Sequence, residues 1–339
     1  MDSAPGSRST ATHAVQRGPG SFFMALTRPI ASRPLLIAVC GGTGFVGREL
    51  IGRLVRCGHS IRVPTRNAAH ADDLLPLSSV ELAVGNVYSP DFMRRSLEGC
   101  DAAVNLVGIL NERGHGGAGF RRAHVEFTAG LLRAMHEAHV PRLLHMSALN
   151  ADAVRGRSHY LRTKGQAEQL VRGASGLEWT VFRPSVIFGP SDSLTRRFAA
   201  LLRLTAGVLP LARPEARFAP IYVGDVAEAF LRALGNTAAV GATYELCGPE
   251  VLTLAQIVRL TAAAAQLPCY LLPLPDPLAR LQGLLMDFLP GKPFSSDNYR
   301  SLLTDSLCSD SGCERLGLTL ASFRAWTPLW LRPRPRPMD

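Results

Sequence analysis

The sequence predicts an α/β chain, a doubly wound parallel sheet with a smaller C-terminal lobe laid over its strand ends. Three observations carry that expectation. An apolar run at 35–40 leads directly into glycines at 41, 44 and 47, then into a segment with Val46, Leu50 and Leu54 on one helical face. Strand-like and helix-like segments alternate as far as Pro184, which implies parallel pairing through right-handed crossovers. Beyond Pro184 the segments lengthen and prolines cluster, at 210, 214 and 220 and again at 268, 273, 275 and 277.

The elements follow in order. The helix after Gly47 stops at Cys57-Gly58, and Ile61-Arg62-Val63 reads as the second strand. The alternating run 80–84 is a third strand ending in Gly85-Asn86, followed by a short helix over 91–97. A buried strand at 102–107 precedes a helix over 125–139 with Leu131, Leu132 and Met135 on its apolar side. Strands at 142–146 and 179–182 flank a helix over 160–172. Thr253 caps a helix over 254–265, and no internal repeat is visible. The segment 278–289 is amphipathic and is expected to face the core; contact with lipid or cover of a substrate cleft are its alternatives.

With 339 residues and 47% hydrophobic content the chain can bury a large core. The expected organisation is a leader over 1–33, a nucleotide-binding domain over 34–184 with its core continuing to about 245, a mixed lobe over 185–330, and an extended Pro/Arg tail over 331–339. The leader reads as disordered; a transit peptide, or a start at Met24, are the alternatives. No apolar run approaches the ~18–20 residues that span a bilayer, because the nearest, 198–212, is broken by Arg203 and Pro210. The expected location is cytoplasmic and peripheral to the inner membrane, with the mitochondrial matrix as the alternative. The net charge of +10 sits largely in the two ends, each +3, so basic tails point to anionic surfaces. No interleaved basic and aromatic face suggests nucleic acid. Seven dispersed cysteines without a CxxC pair or a histidine nearby exclude a metal set and read as reduced and buried.

The glycine turn carries the chemistry. Gly41 permits a sharp bend, Gly44 lets backbone amides approach a pyrophosphate, and Gly47 lets the helix pack on the strand. Thr43, Phe45 and Val46 share that turn. No acid stands about 20 residues further on, where a ribose 2′-hydroxyl would need one; Arg62 and Arg66 stand there instead. Arg66 at the strand end, with Arg48 beside Gly47, suits a 2′-phosphate, so NADP(H) is expected, with NAD(H) as the alternative. Surface solvation is the competing role for Arg62 and Arg66, more so for Arg62.

Tyr160 and Lys164 lie one helical turn apart on a common face, and Ser147 ends the preceding strand, where a parallel sheet presents its ligand crevice. A nearby ammonium favours phenolate, so Lys164 is expected to lower the Tyr160 pKa while Ser147 orients a carbonyl oxygen. Of 37 basic residues only Lys164 and Lys292 are lysines. A surface Tyr–Lys pair is the bland alternative.

These residues resemble the short-chain dehydrogenase/reductase superfamily in its extended, epimerase-like branch, a Rossmann-type fold. The carriers are the run from Gly41 to Gly47, Arg183-Pro184-Ser185-Val186-Ile187-Phe188-Gly189-Pro190, and Ile221-Tyr222-Val223-Gly224-Asp225-Val226-Ala227. Within that branch the chain is similar to the subgroup containing the nucleotide-binding accessory subunit of respiratory complex I. The carriers there are Asn105-Leu106-Val107-Gly108-Ile109-Leu110-Asn111-Glu112, Arg121-Arg122-Ala123-His124-Val125, His145-Met146-Ser147-Ala148, and the run from Asp297 to Asp305.

The resemblance implies a cofactor cleft also lined by Asn86, Val87, Asn105, Leu106, Val107, Gly108, Met146, Arg183, Pro184, Ser185 and Val186. It implies NADP(H), membrane-associated company, and a hydrophobic substrate such as a quinone precursor or other isoprenoid. Asn86 replaces the Asp that many relatives carry near the adenine, and Gly224 is a second departure. Two functions are therefore expected. One is an oxidoreductase or epimerase using Ser147, Tyr160 and Lys164. The other is a nucleotide-holding subunit of a respiratory or quinone-synthesis complex. His145 is expected in the core, and the glycine-rich loop 114–119 between His115 and His124 is expected over the cofactor.

Overall fold

The computed structural model describes residues 33–332 except 73, 290, 291 and 293. Most of the expected leader and tail therefore lies outside the described residues. Alternating strands and helices build the first half: β1 (Leu36–Cys40), α1 (Phe45–Arg56), β2 (Ser60–Thr65), β3 (Val80–Val84), α2 (Pro90–Leu97), β4 (Ala102–Asn105), α3 (Ala118–Arg121), α4 (Phe127–Glu137), β5 (Arg142–Met146), α5 (His159–Arg172) and β6 (Glu178–Pro184). The lobe adds β7 (Ile187–Phe188), α6 (Ser193–Leu204), β8 (Val208–Ala212), β9 (Arg217–Phe218), β10 (Ile221–Tyr222), α7 (Val223–Leu234), β11 (Ala242–Leu246), β12 (Leu252–Thr253), α8 (Leu254–Ala264), β13 (Tyr270–Leu274), α9 (Asp276–Met286) and α10 (Ser296–Ser301).

A seven-stranded parallel sheet runs β11-β6-β5-β4-β1-β2-β3. Successive strand residues enter opposite layers. Ile37, Val39, Val104, Leu144 and Phe182 pack with Leu50 and Leu54 of α1 and Phe230 of α7. Ala38, Cys40, Ala103, Leu143 and Val181 pack with Leu97 of α2, Leu131 of α4 and Val171 of α5. Helices thus cover both faces, and the strand order reverses between β1 and β4, which opens a crevice at their C-terminal ends. β11 returns from the lobe to pair with β6.

Four sequence expectations need correction. The strand over 102–107 ends at Asn105, because the Asn105 side chain accepts the Val107 N–H at 3.1 Å and turns the chain out of the sheet. The helix over 125–139 begins earlier, as α3, and passes through a π-helical turn at Arg122–Glu126 into α4. The cysteines are not all reduced: Cys247 and Cys308 form a disulfide, since the segment after α10 crosses the end of β11 and brings together residues 61 positions apart. Of the others, Cys57 and Cys269 are only partly buried. Lastly, α9 buries just Ala279 and Gly283 and turns its leucines to solvent instead of the core. Among the described residues no helix is long and apolar enough to cross a membrane.

The Phe182 ring, fully buried, stacks on Phe230 at 4.0 Å and on Tyr244 at 6.0 Å. It ties the central sheet to α7 and β11. Phe182→Ala should cost about 3–5 kcal/mol, read as a lower denaturant midpoint with the slope unchanged.

Candidate functional site

The crevice between β1 and β4 opens on the glycine turn. Gly41 adopts φ +82°, and a Cβ there would lie 3.0–3.2 Å from the Leu106 and Val107 backbone. At Gly47 a Cβ would lie 2.5 Å from the Gly41 and Gly42 carbonyls. Only glycine lets α1 start this close to the turn. Gly44 is the N-cap and offers no side chain, the first turn holds no acid, and the first helical bond is Arg48 N–H to Gly44 O at 3.0 Å. The amides of Phe45, Val46 and Gly47 precede that bond and have no helical acceptor. The Phe45 and Val46 side chains pack into the core, so a ligand would meet their amides, beside Thr43. This cradle fits an anionic diphosphate.

At the sides of the crevice the outcomes divide. Arg66 directly follows β2, is exposed, and has no hydrogen-bond or ion-pair partner among the described residues. Arg48 is exposed on the first turn of α1. Arg62 is a structural residue: it pairs with Glu81 at 2.9 Å and donates to the Glu98 carbonyl at 2.8 Å. Asn86 is exposed, but its Oδ1 accepts the Tyr88 N–H, which leaves only its amide nitrogen for a ligand, and the neighbouring Val87 packs under α2 and α4. Leu106 and Val107 pack on opposite layers, so they present backbone to the crevice.

Five of the expected cleft residues are engaged by the fold itself. Asn105 donates to Thr128 and His145 and accepts from Val107, which satisfies its amide. Arg183 grips Glu168 in a two-point pair at 2.9 and 2.7 Å. The Ser185 hydroxyl donates to the Ser306 carbonyl at 2.8 Å. Pro184 and Val186 use their carbonyls to hold Leu149 and Ile221. The Ser185 hydroxyl and the Val186 carbonyl thereby join the sheet end to the lobe.

Tyr160 and Lys164 share one face of α5, as their spacing requires. The Lys164 ammonium is buried and donates to the Met146 carbonyl at 3.0 Å and the Val107 carbonyl at 3.5 Å, next to Gly108, where a Cβ would come within 3.1 Å of it. The Tyr160 hydroxyl has no hydrogen-bond partner among the described residues. Ser147 does not join them: its hydroxyl, almost fully buried, donates to Glu168 at 2.9 Å. A proton committed to a buried carboxylate is not offered to a substrate oxygen. The expected lowering of the phenol is also reversed. Burial pushes Tyr160 up to about 12 and pulls Lys164 down to about 8.

Two further contributors, His124 and Asp297, lie in runs that carry the family resemblance but are assigned no role in the site by the sequence alone. His124, in the π-helical turn, accepts the Ile109 N–H on Nε2 at 3.2 Å, so Nδ1 carries the proton and donates to Thr163 at 2.8 Å. Its ring meets Tyr160 edge-on at 5.5 Å. Asp297 of α10 accepts the His159 and Tyr160 amides at 2.6 and 3.1 Å and so holds the start of α5. The π-helical turn that presents His124 is visible only in the structure, and Asp297 lies 137 positions from Tyr160, too far for a local pattern to link them. The loop at 114–119 is fixed by Glu112, which accepts the Gly117 and Gly119 amides. His145 is a core residue, as expected.

A family model described as NAD(P)H-binding matches residues 41–201. The chain is similar to the mitochondrial NADH dehydrogenase (ubiquinone) 1 alpha subcomplex subunit 9 of Arabidopsis thaliana, 28% identical over 86% of this chain and 75% of that one. It is similar to the ceramide reductase of Caulobacter vibrioides, 30% identical over 74% of this chain and 77% of that one. Among solved structures it superimposes on a nucleoside-diphosphate-sugar epimerase of Staphylococcus aureus with TM-score 0.70 and 15% identity, covering 87% of this chain and 100% of that one. The last likeness concerns the fold.

Burial, reinforced by the charge on Lys164, lowers His124 to about 2 and His145 to about 3, far below the ordinary 6.5. Below pH 6.5 the unfolded chain therefore binds protons that the folded chain refuses. Stability held above that pH should be lost as the pH falls, seen as a melting temperature that drops steadily between about pH 7 and pH 5. A flat profile there would mean that these imidazoles are not held neutral.

Proposed function

This chain belongs to the NAD(P)-binding short-chain dehydrogenase/reductase family of the extended, epimerase-like type, and on that premise we propose that it is an NADP(H)-dependent reductase of an apolar carbonyl compound. The observation that carries the reading is the Tyr160–Lys164 pair: a phenol without a partner, one turn from an ammonium held at the ends of β4 and β5. When bound, the nicotinamide supplies the hydride. Tyr160 Oη hands its proton to the carbonyl oxygen, which balances the reduction to an alcohol. Lys164 stabilises the resulting phenolate and offers its remaining N–H to a ribose hydroxyl. The phenol must fall from about 12 for this, and a desolvated ammonium nearby acts in that direction. Ser147 has no role in this step.

The turn from Gly41 to Gly47 would hold the diphosphate. Arg66, with Arg48, would hold the 2′-phosphate, and the lack of a carboxylate at the end of β2 supports the phosphorylated nucleotide. The Asn86 amide nitrogen would reach the adenine. An apolar substrate, a lipid ketone, quinone or isoprenoid, is supported by the name of the ceramide reductase relative. A second reading, a nucleotide-holding subunit of a respiratory complex, is favoured by the Ser147–Glu168 bond and by the named complex I relatives.

Two measurements test these statements. NADPH oxidation is followed with long-chain ketones and quinones: Tyr160→Phe should lower turnover at least ~100-fold while nucleotide affinity holds, and Ser147→Ala should keep most of it. An absence of turnover in the unaltered protein, with nucleotide still raising its melting temperature, would establish the second reading. In a fluorescence titration, Arg66→Gln should weaken NADPH about 10-fold, a loss of ~1.4 kcal/mol, and leave NADH unchanged. Equal losses for both nucleotides would refute the assignment of Arg66.

A further inference from the structure

The least satisfied surface of the molecule lies away from the crevice, on the lobe. On α9 the small residues Ala279 and Gly283 face inward, while Leu278, Leu281, Leu284 and Leu285 occupy about a third of the helix circumference and face solvent. Phe288 and Leu289 extend the row past the helix end; Leu285 is 63% and Phe288 79% exposed.

The parallel pair β8–β13 continues the same character. Its inward residues Leu209, Leu211 and Leu271 build the lobe core, and its outward residues Val208, Pro210, Tyr270 and Leu272 are exposed and apolar. Gln282 of α9 donates to the Pro210 carbonyl, so helix and sheet face are neighbours. A monomer rarely leaves so large an apolar surface open.

The charges on the elements that form and flank this surface are mostly basic. Within 193–212 and 270–292 the bases are Arg196, Arg197, Arg203, Arg280 and Lys292. The acids are two: Asp276 is paired with Arg213, and Asp287 is buried. A wide leucine face, aromatic residues at its edges and a basic surround match an interfacial helix. The geometry points to a docking face for an anionic lipid bilayer, formed by α9 and the outer side of β8–β13, with α9 lying in the plane of the headgroups.

Docking here would bring the membrane to the site. The Phe288 ring lies 5.0 Å from His115, and His115, Asp287 and Asp297 line a pocket shared with His159. Asp297 holds the amide of Tyr160. The docking itself holds whether the site reduces a carbonyl or only keeps a nucleotide.

The test is flotation of the full chain with vesicles of phosphatidylcholine alone or with phosphatidylglycerol. Binding should rise with phosphatidylglycerol and weaken with salt. The double variant Leu281→Glu/Leu285→Glu should bind at least ~10-fold more weakly, with its melting temperature and NADPH affinity unchanged because both side chains are exposed. In a Tyr270→Trp variant, addition of these vesicles should shift the emission of the introduced indole to the blue. Undiminished vesicle binding of the double variant would overturn the proposal, since the basic ends of the chain would then be the anchor. Concentration-dependent dimerisation that the double variant abolishes, without vesicle binding, would overturn it in favour of a second copy.

Discussion

Burying the Lys164 amine between the ends of two neighbouring parallel strands constrains most of what surrounds it. An ammonium out of water needs acceptors, and among the described residues it finds two carbonyls: Met146 at the end of β5 and Val107 just past β4. To supply them, β4 must stop early and turn. Asn105 does this by accepting the Val107 N–H while donating to Thr128 and His145. Close approach then requires Gly108. Burial first, and the same charge second, hold His124 and His145 nearby well below the ordinary imidazole range.

Neutral His124 becomes a connector. With Nε2 holding Ile109 and Nδ1–H reaching Thr163, it links the loop after β4 to the helix that carries Tyr160 and Lys164. The π-helical turn that presents it is the local distortion which makes this reach. On the other side of α5, the buried Glu168 carboxylate gathers Arg172, Arg183 and Ser147 into one cluster. The helix is held from both flanks, and Ser147 and Arg183 serve that hold instead of facing the crevice.

The lobe completes the arrangement from a distance in sequence. Asp297 supplies acceptors to the first amides of α5, Ser301 bonds the Ser158 cap, and α10 packs on α9. The element with the most exposed apolar surface is thus two contacts away from the phenol. The disulfide between Cys247 and Cys308 and the bond from Ser185 to Ser306 fasten the same C-terminal stretch to the sheet end.

The order of strands and helices, the glycine turn and the Tyr160–Lys164 spacing were legible in the residues themselves, because each is set by contacts within a few positions: a strand period of two, a helical period near four, a bend that tolerates only glycine. The absence of an acid after β2, with Arg66 in its place, was equally local. What a side chain does once it arrives was decided by the tertiary structure. Ser147 and Arg183 carry the right residue types at the right spacing, yet Glu168, brought between them by the α5–β6 crossover, takes both. The disulfide, the grip of Asp297 and the outward turn of the α9 leucines depend on chain segments tens to more than a hundred residues apart. Hydrogen bonds and burial are properties of those meetings, and a pattern confined to neighbours along the chain does not contain them.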